Sequence, residues 1–205
     1  MNYDKETNGN EYVLRDAGSG YMLLMRDMQG LRAYEGLDVT FRVRGKLPAH
    51  TITSRDLDNY DSIGRLRPEL QYVEVGPGLG GFLEELVKIG PRRVPVAIDH
   101  ANYPLMKLMM LEALEDGDAS RYHGRLGALV HRCDIMMGDD VRLINMTLGN
   151  ALLQYPDLQG FADVVVDMAA SRVYRLPDEN PDDDWVIEKM LASMLRPGGK
   201  VVPSD

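Results

Sequence analysis

The run Val73-Glu-Val-Gly-Pro-Gly-Leu-Gly-Gly-Phe82 constrains this chain more than any other segment. It sets Gly76, Gly78, Gly80 and Gly81 directly after the β-branched stretch Gln71–Val75. It then leads into the amphipathic stretch Phe82–Ile89. A strand, a glycine turn and a helix in that order make a nucleotide-binding corner. Glycine lets the backbone turn tightly and lets a ligand lie against the main chain.

From Leu70 onward the sequence has a βα rhythm. The first strand is expected at Gln71–Val75 and its helix at Gly81–Ile89, stopped by Gly90-Pro91. The second strand is Arg93–Asp99, where Pro95 suits an edge or a strand start. Pro104 opens a Leu- and Met-rich helix to about Glu115, and a second helix is expected near Ser120–Cys133. Val141–Asn145 reads as strand three and Ala162–Met168 as strand four, the latter β-branched enough to be buried on both faces. Asp183–Leu195 reads as a helix, Pro197-Gly-Gly199 as a turn and Lys200–Pro203 as the next strand. Alternating strands and helices predict an α/β, Rossmann-like, doubly wound, mostly parallel sheet with helices on both faces.

Before Leu70 the pattern is less regular. Residues 1–10 look like a flexible tail. Tyr21–Met28 suits a helix or a strand. Leu37–Arg44 alternates as a half-buried strand with Val39, Phe41 and Val43 on one face. Ser54–Ile63 reads as a polar connection or a short helix. The expected organisation is a tail and small cap over 1–68 and a cofactor-binding domain over 69–205.

At 205 residues the chain can bury a substantial core. Its net charge of −9 disfavours nucleic acid and anionic membranes as partners. The basic cluster Arg42, Arg44 and Lys46 keeps RNA open, with a small molecule or protein favoured. The single Cys133 fits a reducing cytoplasm. The N-terminus has no signal-peptide pattern, and no apolar run approaches a membrane span.

Gly76, Gly78 and Gly81 also satisfy G-x-G-x-x-G, so the corner alone fits a dinucleotide. Asp99 ends the second strand about 20 residues later, where an acidic side chain accepts from ribose hydroxyls. Leu195-Arg-Pro-Gly-Gly199 follows a helix and precedes a strand. Together Val73–Gly80, Asp99, Ala162–Asp167 and Leu195–Gly199 resemble the motifs of the class I S-adenosylmethionine-dependent methyltransferase family over about Leu70–Val202. The first motif alone looks most like that of ribosomal RNA adenine dimethylases. Their fourth motif is replaced here by Asp167-Met-Ala-Ala-Ser171, so the substrate does not carry over.

The resemblance implies S-adenosylmethionine as cofactor. Glu74 and the turn Gly76, Pro77, Gly78 and Gly80 would hold its amino-acid end. Asp99 would bind the ribose, with His100 and Ala101 beside it. Asn150 and Ala151 would meet the adenine, Asp134 being the rival, and Asp167 would face the transferred methyl group. That family normally continues beyond strand five, so with the sequence ending at Ser204-Asp205 the expectation is a fragment, a shortened sheet, or missing strands supplied by the N-terminal region.

The same residues have plainer readings. Asp99 could cap the following helix, Asn150 suits an ordinary turn, and Asp167 could only shape its loop. His50, His123 and His131 lack a partner pattern. Cys133 and the methionines of Leu105–Met110 suit a core. Asp178–Asp184 reads as a solvated loop ending in a helix cap. No metal-ligand pattern appears. Two other functions stay open: an NAD-dependent oxidoreductase on the same corner, and a non-catalytic scaffold of the same fold.

Overall fold

The computed structural model describes residues 3–27, 37–43, 50–53, 63–167 and 184–203. The chain divides into two compact units, one of residues 1–54 and 102–134, the other of 55–101 and 135–205.

The first unit opens with five strands: β1 (Tyr3–Asn8), β2 (Glu11–Asp16), β3 (Tyr21–Asp27), β4 (Leu37–Val43) and β5 (His50–Thr53). They form an antiparallel meander in chain order. The expected flexible tail is therefore largely β1, paired along its length from Tyr3↔Asp16 to Asn8↔Glu11. Tyr21–Asp27 is a strand rather than a helix. β4 is not half-buried in its middle, because Thr40 is buried along with Val39 and Phe41. Adjacent residues of a strand point to opposite faces, so both faces are covered there. The same holds for Tyr12, Val13 and Leu14 of β2 and for Leu23, Leu24 and Met25 of β3.

Helices α2 (Tyr103–Glu115) and most of α3 (His123–Met137) belong to this unit, joined by a 3₁₀ turn over Gly117–Tyr122. Polar side chains tie them to the strands. The Tyr12 hydroxyl donates to Asp116 at 3.0 Å and the Tyr122 hydroxyl to the Asn10 carbonyl at 2.6 Å. Lys5 pairs with Asp116 at 2.8 Å and Asp118 at 3.1 Å. Asn102 caps α2 by accepting from Leu105 N–H at 3.1 Å.

The second unit holds β6 (Tyr72–Val75), α1 (Phe82–Lys88), β7 (Val96–Asp99), β8 (Arg142–Asn145), α4 (Leu148–Gln154), β9 (Ala162–Asp167), α5 (Asp184–Ser193) and β10 (Leu195–Pro203). The sheet order is β10-β9-β6-β7-β8 and every pairing is parallel. This is a Rossmann-like α/β arrangement, in which strand order reverses at the first strand. All residues of β6, β7 and β9 are buried. Their Val- and Ile-rich runs suit a sheet covered on both sides. The core joins Val73, Val75, Ile98, Val165, Leu191 and Met194.

Pro95 immediately precedes β7, where its missing N–H costs no ladder bond, and its carbonyl accepts from Arg142 at 2.9 Å. Gly90 ends α1 with φ of 69°. The expected turn at Pro197–Gly199 is instead part of β10, with the register shifting between Leu195 and Lys200. Gly198 has φ of 82°, and a Cβ on Gly199 would lie 3.0 Å from the Ala162 and Asp163 carbonyl oxygens. The two glycines thus let β10 hug β9 through an irregularity. Beside it Asp163 is ion-paired with Arg196 and accepts from Gln71 N–H at 2.8 Å. The Asp163 end of the fourth motif and the late motif are therefore bound up with joining strands.

Candidate functional site

The carboxyl ends of β6, β7, β8 and β9 lie along one edge of the sheet and carry Gly76, Asp99, Asn145 and Asp167. Parallel register sets Val75 beside both Ile98 and Asp167, and Asp99 beside Asn145. In open parallel sheets, ligands bind outside the carboxyl ends of the strands where the order reverses. Here that point lies between β6 and β9.

The corner after β6 is built by its glycines. Gly76 and Gly78 have φ of 69° and 55°, which a side-chain-bearing residue adopts at a cost. Three amides of the corner donate inward. Gly76 N–H donates to the Ile98 carbonyl at 2.9 Å, Gly80 N–H to the Pro77 carbonyl at 2.9 Å, and Gly78 N–H to Asp99 Oδ2 at 3.0 Å. Pro77 and Leu79 are buried beneath the turn.

Asp99 is the hinge of this geometry. It is 5% exposed, and its second oxygen accepts from Ala101 N–H at 3.0 Å. It does not cap α2, since Asn102 does. One carboxylate therefore ties the end of β7 to the glycine turn and to the loop after it. His100 Nδ1 lies 3.9 Å from Asp99 Oδ1, and Ala101 is buried. A carboxylate offers about four acceptor positions, and each Asp99 oxygen accepts from a backbone N–H.

Glu74 and Asp167 are buried, at 1% and 3% exposure, one inside β6 and one at the carboxyl end of β9. Asn150 lies in α4, the helix that follows β8, and is exposed, with Ala151 buried beside it. From strand three, Asn145 reaches the loop after β7, where its Nδ2 donates to the Ala101 carbonyl at 2.7 Å. A signal for it was present, a polar residue closing the short apolar run Leu143-Ile144, but the expected spacing to strand four pointed further on. Asp134 lies on α3 and pairs with Lys107 at 2.5 Å.

The other titratable side chains offer less. Cys133 is fully buried, and burial pushes its thiol up to about 12, so it is no nucleophile. Among the described residues there is no cluster of potential metal ligands, and no helix is long and apolar enough to cross a membrane. Met168–Ser171, the acidic stretch Asp178–Asp183, Arg44 and Lys46 lie outside the described residues. The side chains of His50, Asp184 and Trp185 do too.

The residues fit an adenosyl ligand in kind. The corner has no Cβ at Gly76 or Gly78 to fend off a ligand, and a buried carboxylate stands at the end of β7. They fit a pyrophosphate poorly. The amides of Gly76, Gly78 and Gly80 are committed to the protein, and the first turn of α1 carries Glu84 and Glu85 where a phosphate would need positive potential.

No protein-family model and no curated protein matches the chain. Among solved structures it is similar to a candidate methyltransferase from Thermoplasma acidophilum, at 15% identity over 93% of this chain and 67% of that one, with a TM-score of 0.37. So distant a likeness leaves the functional reading to the geometry of the corner.

Proposed function

We propose that this chain is an S-adenosylmethionine-dependent methyltransferase of the class I type, with the cofactor held at the carboxyl ends of β6, β7 and β8. The observation that carries the reading is Asp99, a buried carboxylate hydrogen-bonded to both the glycine corner and the loop after β7. Held this way, it is preorganised to accept from the ribose hydroxyls without further ordering. Glu74 and the turn Gly76–Gly80 would hold the amino-acid end. His100 and Ala101 would border the ribose and base, with Asn145 fixing the Ala101 carbonyl. In this reading Asp167 is the acidic group that faces the acceptor. The bound cofactor would supply an electrophilic sulfonium methyl. The chain's own task is to align donor and acceptor and to keep water out.

The carboxylates of Glu84 and Glu85 in the first turn of α1 favour this ligand over NAD, because they would repel a pyrophosphate at that helix end. The same two bonds at Asp99 also suit a non-catalytic scaffold of this fold, the second reading. The acceptor is proposed as a small molecule or a protein, in keeping with the net charge of −9. The single buried cysteine suits work in a reducing, cytoplasmic setting.

Titration calorimetry with S-adenosylhomocysteine and with NADH separates these readings. Binding of the first alone supports the methyltransferase; binding of NADH alone overturns it. If neither binds and no label passes from methyl-labelled cofactor to a fractionated extract, the scaffold reading holds.

A further inference from the structure

A groove in the first unit stands outside this reading. Tyr3 of β1 faces Leu108, Leu111, Glu112 and Glu115 of α2 across a cavity of about 240 Å³. Residues at i, i+3, i+4 and i+7 share one helix face, so these four α2 residues form a single stripe about two turns long. The face is apolar and open: Leu108 is 45% exposed and Leu111 39%. It is also acidic. Glu112 and Glu115 are exposed. No ion pair joins either to a cation among the described residues. Asp16 lies directly across the strand pairing from Tyr3. The Tyr3 hydroxyl feels this. Burial, then the charges of Asp16 and Glu112, raise its pKa above the usual tyrosine range.

We infer that this groove is a docking site for a basic amphipathic segment of a partner protein, which seats apolar side chains on Leu108 and Leu111 and sets lysines or arginines against Glu112 and Glu115. Three considerations choose this occupant. The cavity is smaller than the roughly 300–1,000 Å³ typical of small-molecule sites. It therefore suits one or two side chains of a larger partner. A second copy of the chain would bring carboxylates against carboxylates and add its own net charge of −9. An anionic membrane surface is repelled for the same reason. A basic helix with apolar anchors at i and i+3 or i+4 meets both the leucines and the charge.

The test uses the full chain and a labelled 14-residue peptide of alternating Leu and Lys helical faces, followed by fluorescence anisotropy. The control is the same peptide with Glu in place of Lys. The expected result is saturable binding of the Lys peptide, weaker at higher salt, with no binding of the Glu peptide. The double variant Leu108→Gln, Leu111→Gln is expected to lower affinity at least about tenfold, as loss of central anchors does. Glu112→Lys with Glu115→Lys is expected to lower it several-fold. All four positions are exposed, so an unchanged melting curve verifies that these variants fold. Equal binding of both peptides, or an affinity unmoved by the leucine variant, would overturn the inference. So would a dimer in sedimentation that the leucine variant breaks, because the occupant would then be a second copy.

Discussion

In the parallel sheet every residue of β6, β7 and β9 is buried. Among the described side chains of the antiparallel sheet, burial falls in the middle of β2, β3 and β4, and β1 is almost wholly exposed. The first sheet is held by continuous apolar runs. The second is held to its helices by polar side chains as well, through Tyr12, Lys5 and Asp116 and through Tyr122 and Asn10. The difference teaches where each is vulnerable. Apolar burial responds to lost volume, whereas a polar tie to a buried hydroxyl responds to lost partners and to pH.

The largest effect is expected from Phe82→Ala. Phe82 is fully buried and meets Tyr72 edge-on at 5.7 Å between ring centroids. Its loss should cost about 3–5 kcal/mol in denaturant titration. A cost under about 1 kcal/mol would break the claim that volume governs this sheet.

Gly199→Ala comes next. The new Cβ would meet backbone oxygens at 3.0 Å, which cannot swing aside as a side chain can. A loss of about 1–3 kcal/mol is expected. Gly124→Ala provides the control, since nothing lies within 4 Å of its Cβ position.

The polar ties are tested with Asp116→Asn. The Lys5 ammonium holds the Asp116 carboxyl below its ordinary range, with further help from the Asp118 amide and the Tyr12 hydroxyl. A depressed folded pKa gives stability that is present above the unfolded carboxyl value, about 3.9. That stability is lost as the pH falls through the folded value. The wild type should therefore lose stability in acid more steeply than Asp116→Asn. Parallel slopes between about pH 5 and pH 2 would remove the polar tie from the account.

The smallest effect is expected from Lys88→Ala, a denaturant midpoint close to that of the wild type. Lys88 is half-exposed, so its pairs with Glu84 and Glu85 are open to water at the lysine end.

Much of the parallel sheet was legible in the sequence because its signals are local. A continuous Val run marks a strand buried on both faces, and a glycine cluster marks the turn after β6. The first unit was harder because its strands are defined by partners far along the chain. Polar β1 has no apolar pattern to mark it and exists through pairing with β2. Thr40 is buried because a sheet face is covered, which alternation alone does not reveal. The late glycines misread as a turn are a close approach of β10 to β9, a feature of two strands together. In the site, Gly76, Gly78 and Asp99 are near one another as their spacing suggested. The hydrogen bond of Asn145 to the Ala101 carbonyl was hidden because it depends on the register of β8 against β7.

The central claim is that Asp99 joins the glycine corner to an adenosyl ligand, and the affinity of Asp99→Asn for S-adenosylhomocysteine tests it most directly. The variant keeps one backbone bond but turns an amide N–H₂ toward Gly78 N–H or Ala101 N–H. By calorimetry on folded protein, the wild type is expected to bind and the variant to bind at least about tenfold more weakly, the loss of a charge-assisted hydrogen bond. Equal affinity in the two proteins would contradict the account.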